Sequence, residues 1–141
     1  MSGYLLDTNV LSELRRPRPE RRVVAFISAA PSHELFLSVV TIAELRYGIE
    51  SLAESEQRSL IATWLDQRVR PLFADRIIAL DESILVRWRM LQETGHRRGR
   101  SFSTPDMLIA ATAVERSLTV VSRDTRPFER SGVPVLNPWS D

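Results

Sequence analysis

The 141-residue sequence contains no cysteine, no lysine and only two histidines. Without thiols, disulfide staples, thiolate nucleophiles and Cys-ligated zinc are excluded. Without a side-chain amine, a Walker-type phosphate loop, a receiver-type phospho-acceptor domain, a Schiff-base enzyme and a Ser-Lys hydrolase are excluded as well. His33 follows Pro31-Ser32, His96 sits in an arginine-rich stretch, and neither has the HExxH spacing of a zinc-binding helix. No apolar run approaches the roughly 20 residues that a membrane helix needs, and the N-terminus has no basic leader. A cytoplasmic location and no membrane partner are therefore expected.

All 19 basic residues are arginine, set against 18 acids for a net charge of +1. That balance gives no long-range pull toward nucleic acid, but each guanidinium fork suits phosphates and bases. With 43% hydrophobic and 26% charged residues, the composition fits one globular domain over residues 1–141. Short apolar runs predict strands at Tyr4 to Leu6, Leu35 to Val40, Ile77 to Leu80, Thr119 to Val121 and Val133 to Leu136. Helical patterns occupy Val10 to Leu14, Glu20 to Ala30, Ile42 to Ser51, Glu56 to Val69, Glu82 to Arg97 and Pro105 to Ser117. Strands separated by helices predict an α/β fold with a mainly parallel sheet of four or five strands, covered on both sides. Residues 16–19 and 95–100 read as exposed loops.

Asp7, Glu44, Asp106 and Asp124 each stand where a strand-like run gives way to a turn or helix. Each also has a structural reading. Asp7 can open the turn after the first strand. Glu44 stands three residues after Thr41, the spacing of a capping box. Asp106 completes a helix start with Thr104 as cap and Pro105 at the first position. Asp124 can form a turn before Thr125-Arg126-Pro127. Together, however, these positions share the carboxyl edge of a parallel sheet, where open α/β folds place their ligands. Carboxylates crowded there without lysine repel one another unless a cation is present. Oxygen ligands alone point to Mg²⁺ or Mn²⁺, and such an ion suits phosphodiester hydrolysis.

The strings Leu5-Leu-Asp7-Thr-Asn9, Leu37-Ser-Val-Val-Thr-Ile-Ala-Glu44-Leu-Arg46, Pro105-Asp106-Met-Leu-Ile-Ala-Ala, Ser122-Arg-Asp124 and Gly132-Val-Pro-Val-Leu-Asn137-Pro-Trp139 together resemble a PIN domain. More narrowly, they are similar to the VapC toxins of bacterial toxin–antitoxin pairs, in the FitB-like branch. The resemblance spans nearly the whole chain. It implies a three-layer α/β/α sandwich and hydrolysis of RNA by water that Mg²⁺ or Mn²⁺ activates. It implies that Asp7, Glu44, Asp106 and Asp124 are the catalytic, metal-binding quartet, with Asn9 and Ser122 in support. Glu13 and Glu82 lie outside the pattern and suit surface or capping roles. Arg46, Arg97, Arg98 and Arg100 are candidates to hold substrate phosphates, although residues 97–100 also read as a solvated loop and Arg46 can pair with a neighbouring acid. The resemblance further implies a cognate antitoxin, homodimers, and contact with DNA only through the antitoxin. Apolar positions on the helices around Ile42 to Ser51 and Glu56 to Val69, including Trp64, are candidates for the antitoxin groove.

Two rival readings belong to other classes. A metal-independent ribonuclease would use His33 and His96 as acid and base and would tolerate chelator. A catalytically silent PIN-like module would bind partners and regulate without turnover.

Overall fold

Alternation along each strand sorts its side chains onto opposite faces of a sheet, and that sorting builds two separate cores here. In the computed structural model, which describes residues 3–140, strands β1 (Tyr4–Leu6), β2 (Leu35–Ser38), β3 (Ile77–Ile78), β4 (Thr119–Val121) and β5 (Val135–Leu136) pair in parallel in the order β3-β2-β1-β4-β5. Leu6 of β1 and Val121 of β4 face one core, while Leu5 and Val120 face the other.

The first core is covered by α1 (Thr8–Leu14), α2 (Arg21–Ala29), α3 (Val39–Glu50) and α4 (Glu56–Trp64) through Val10, Val23, Ile42 and Ile49, with Ile61 and Trp64 packed against it. Helix α4 continues through a π-helical turn, Leu65–Val69, into α5 (Arg70–Leu72). The second core is covered by α6 (Glu82–Arg97), α7 (Thr104–Arg116) and α8 (Arg126–Arg130). Ala110 and Ala113, both almost fully buried, let α7 lie close to the sheet. The result is a three-layer α/β/α sandwich, as the alternation predicts. Among the described residues no helix is long and apolar enough to cross a membrane.

Several boundaries differ from the sequence-based expectation, each for a local reason. Helix α1 begins at Thr8 because Asp7 is itself its N-cap, accepting the Thr8 N–H at 2.8 Å. Strand β2 ends at Ser38, whose hydroxyl accepts the Val40 N–H at 3.0 Å and starts α3 three residues early. Thr41 therefore lies inside the first turn, where its buried hydroxyl has no partner, and it forms no capping box with Glu44. The cap of α7 is likewise Ser103, accepting the Asp106 N–H at 3.3 Å, not Thr104. Helix α6 runs to Arg97 as its pattern predicts, so of the overlapping 95–100 loop expectation Gly95, His96 and Arg97 are helical, with Gly95 buried beside Phe102. Helix α8, not among the helices that the sequence predicts, is stabilised at its start by Pro127.

Helix α7 ends on Ser117 in the left-handed conformation (φ 56°, ψ 46°), and the Leu118 N–H closes onto the Ala113 carbonyl at 2.9 Å. A side chain is unfavourable in that conformation by about 1 kcal/mol. Ser117→Gly is therefore expected to raise unfolding stability by about 1 kcal/mol in a urea titration. An unchanged or lowered midpoint would contradict the assignment of this turn.

Candidate functional site

The strand order reverses direction between β1 and β4, which opens a crevice at their carboxyl ends. Leu6 pairs with Val121, and the Asp7 N–H donates to the Val121 carbonyl at 2.9 Å. That register sets Asp7 and Ser122 side by side. The Ser122 hydroxyl donates to Asp7 Oδ2 at 2.8 Å and lies 3.3 Å from the Asp124 carbonyl. The same oxygen accepts from Asn9 Nδ2 at 3.0 Å and from the Asp124 N–H at 3.1 Å. Asn9 Oδ1 in turn accepts the Arg123 N–H at 3.2 Å. One serine thus links the first acid, the fourth acid and the asparagine in the first turn of α1.

A cleft of about 650 Å³ opens over this network, and Asp7, Asn9, Glu44 and Asp106 line it. Asp7 is buried at 7% exposure, Asp106 is half-buried, and Glu44 and Asp124 are exposed. Asp124 does not line the cleft, but its charge reaches Asp7. Burial raises the Asp7 carboxyl above its ordinary range, the Ser122 and Thr8 hydrogen bonds oppose this, and the charges of Asp106 and Asp124 add to the rise. None of the four acids has an ion-pair partner among the described residues, whereas Asp66 has two and Asp81 and Glu115 have one each. Unpaired carboxylate oxygens around a buried aspartate are a donor set suited to a hard divalent cation. As the side chains are placed, no three His, Asp or Glu among the described residues converge closely enough to enclose an ion. The donor chemistry fits a cation, and the acids line a cleft that is wider than a closed metal cage.

The proposed phosphate-binding arginines lie elsewhere. Arg46 is held by Asp66 at 2.6 Å, with Glu50 at 4.0 Å, and lines a different hollow. Arg100 donates to the Arg130 carbonyl at 2.8 Å, and neither it nor Arg97 nor Arg98 lines the acidic cleft. The cleft is instead lined by Arg15, Arg16 and Arg123, together with Glu13 and Trp139. Glu13 is buried at 5% exposure rather than on the surface. Its carboxylate accepts the Glu20 N–H at 2.9 Å and an Arg16 guanidinium N–H at 3.3 Å. It is held below its usual range chiefly by the Glu20 N–H, against the opposing effect of its burial. Glu82 is exposed, as expected. His33 and His96 are both exposed and line no part of the cleft.

The PIN domain family model matches residues 4–133. The chain belongs to the PIN domain family. It is 40% identical over 137 residues to Toxin FitB of Neisseria gonorrhoeae, covering 97% of this chain and 99% of that protein. It is 37% identical over 135 residues to VapC ribonuclease Y4jK of Sinorhizobium fredii, covering 96% of each. The crystal structure of FitAcB from Neisseria gonorrhoeae superposes with a TM-score of 0.92 at 39% identity, covering 98% of this chain and 99% of that one. The PIN cleft of this chain thus sits in a fold shared along its whole length with proteins named as toxins and ribonucleases.

The raised Asp7 carboxyl has a consequence for stability. An acid whose pKa is raised on folding contributes stability at low pH that is lost as pH rises through its folded value. Asp7→Asn, which keeps the Oδ1 cap to Thr8, is therefore expected to stabilise the chain at pH 7 in EDTA. The gain should shrink as pH falls through the Asp7 folded value toward about 3.9, the ordinary value of an aspartate. Thermal unfolding across pH checks this, and a variant less stable than wild type at pH 7 would contradict it.

Proposed function

We propose that the chain is a divalent-metal-dependent endoribonuclease that serves as the toxin of a toxin–antitoxin pair. The observation that carries this reading is the set of unpaired carboxylates, Asp7, Glu44 and Asp106, on one cleft at the sheet's switch point, with Asp124 adding its charge. Asp7 and Asp106 would hold Mg²⁺ or Mn²⁺, with Glu44 and Asp124 completing the acidic set. An ion bound there supplies an acidified water and neutralises charge on a phosphodiester.

The remaining roles fall to the chain's own groups. Ser122 directs one oxygen of Asp7 and holds the Asp124 backbone, while Asn9 holds Ser122 and Arg123 in place. The Thr8 N–H fixes the second Asp7 oxygen and so sets the plane of the carboxylate. Helix α7 points its N-terminal turn at the cleft, with Asp106 in that turn against the positive end of the helix dipole. The substrate is RNA whose backbone enters the open cleft.

The partner reading rests on the names of the relatives and on a second hollow. An apolar cavity of about 420 Å³ lies between α1, α2 and the α4–α5 unit, lined by Leu11, Leu14, Ile27, Trp64, Val69 and Phe73 among others. It suits an apolar segment of an antitoxin. Trp64, singled out from sequence, is part of it, whereas α3 contributes nothing to its wall. Homodimers, a cytoplasmic location and contact with operator DNA only through the antitoxin complete the proposal.

The test is cleavage of a mixed RNA pool by the chain freed of any partner, with Mg²⁺, with Mn²⁺ and with EDTA. Cleavage should require metal and fall by about 100-fold or more in Asp7→Asn and Asp106→Asn, and by about 10-fold in Ser122→Ala, which removes the hydroxyl that orients Asp7 and holds the Asp124 backbone but removes no carboxylate. Cleavage that survives EDTA would overturn the metal reading, and no cleavage of any RNA would favour the silent partner-binding module.

A further inference from the structure

Arg123 lies between Ser122 and Asp124 and lines the acidic cleft, yet it pairs with no carboxylate among the described residues. Its guanidinium carbon instead sits 5.5 Å from the centroid of the Trp139 ring. The backbone is pinned on both sides, since its N–H donates to Asn9 Oδ1 at 3.2 Å and its carbonyl accepts from Asn137 Nδ2 at 3.4 Å. The tryptophan is anchored as well: its N–H donates to Asn137 Oδ1 at 2.9 Å, and its carbonyl accepts from Arg22 at 3.0 Å.

This arrangement has two effects on the cleft. Cation–π attraction to the ring uses none of the guanidinium N–H donors, which pair with no carboxylate among the described residues. It also keeps a fixed positive charge near the acids without neutralising any of them. Arg16, on the same cleft, lacks this property because Glu13 already holds it. A planar fork on a cleft that carries Asp7, Glu13, Glu44 and Asp106 beside Arg15 and Arg16 matches a phosphate in geometry and charge.

We propose that Arg123 grips an RNA phosphate beside the scissile one, and that Trp139 is a positioning residue that holds the guanidinium away from the carboxylates. The assignment rests on the ribonuclease reading for its substrate, but its test does not depend on turnover. Binding of a labelled single-stranded RNA is measured across salt concentration with Mg²⁺ present, in an Asp7→Asn background to prevent cleavage. Adding Arg123→Ala should weaken binding about tenfold, equally for RNAs of different sequence, and reduce the slope of log affinity against log salt by about 0.7, the release expected for one phosphate contact. Arg123→Lys should keep the slope. Trp139→Leu should lower it, whereas Trp139→Phe, which retains a ring beneath the arginine, should not.

An unchanged slope in Arg123→Ala, a loss confined to particular RNA sequences, or no RNA binding by the parent would overturn the proposal. The two readings fail separately. Metal-dependent cleavage by the otherwise wild-type chain with an unchanged Arg123→Ala slope removes Arg123 alone. A reduced slope without cleavage in any metal leaves Arg123 as an RNA contact and removes the nuclease.

Discussion

The hydrogen bond from the Ser122 hydroxyl to Asp7 joins the two central strands at their carboxyl ends, and the candidate site is arranged around it. Parallel pairing of Leu6 with Val121 leaves the next residue of each strand facing the crevice. Asp7 is buried there with no cationic partner, so it depends on two donors, Ser122 and the Thr8 N–H. Ser122 in turn is fixed by Asn9 and by the Asp124 backbone. A slip of one residue in the β1/β4 register would turn Leu5 and Leu6 to the wrong cores and break this network at once.

Three helices begin at the same edge and two of them carry Glu44 and Asp106, while Asp124 lies on the loop after β4. The caps Asp7, Ser38 and Ser103 set where α1, α3 and α7 start, and the last two thereby place Glu44 and Asp106. Asp7 both caps a helix and offers a carboxylate to the cleft, which is why it is the most constrained member of the set. Repulsion among unpaired acids opposes folding of the chain alone, while a bound cation would favour the folded form by mass action. Stability and the proposed chemistry therefore meet at one cluster.

Much of this was legible in the sequence. The alternation of apolar runs and amphipathic stretches identified the layers and the parallel sheet, and the acids stood out because each ended a strand or began the following helix. The helix starts were less legible. Val39 and Val40 are β-branched and read as strand, but the Ser38 hydroxyl bonds the Val40 N–H and turns the chain into α3. Arg46 follows the second of its two readings, pairing with an acid, but the acid is Asp66, which is brought to it only by the packing of the helical unit after α3. Arg123 and Trp139 were missed for the converse reason. Pairing of Val121 with Leu136 brings their segments together, and no local pattern announces that contact. Glu13 reads as a surface or capping acid, and its burial is not legible because its main partner, the Glu20 N–H, lies across a loop of arginines and prolines.

The central claim is that the carboxylates at this edge form a site for hard divalent metal organised by Asp7. Titration of Mn²⁺ into the partner-free chain, followed by the loss of the free-ion electron paramagnetic resonance signal, tests it without reference to RNA. The account predicts saturable binding to wild type that is abolished in Asp7→Asn and in Asp106→Asn and weakened in Ser122→Ala. An isotherm for Asp7→Asn that overlays the wild-type curve would contradict it.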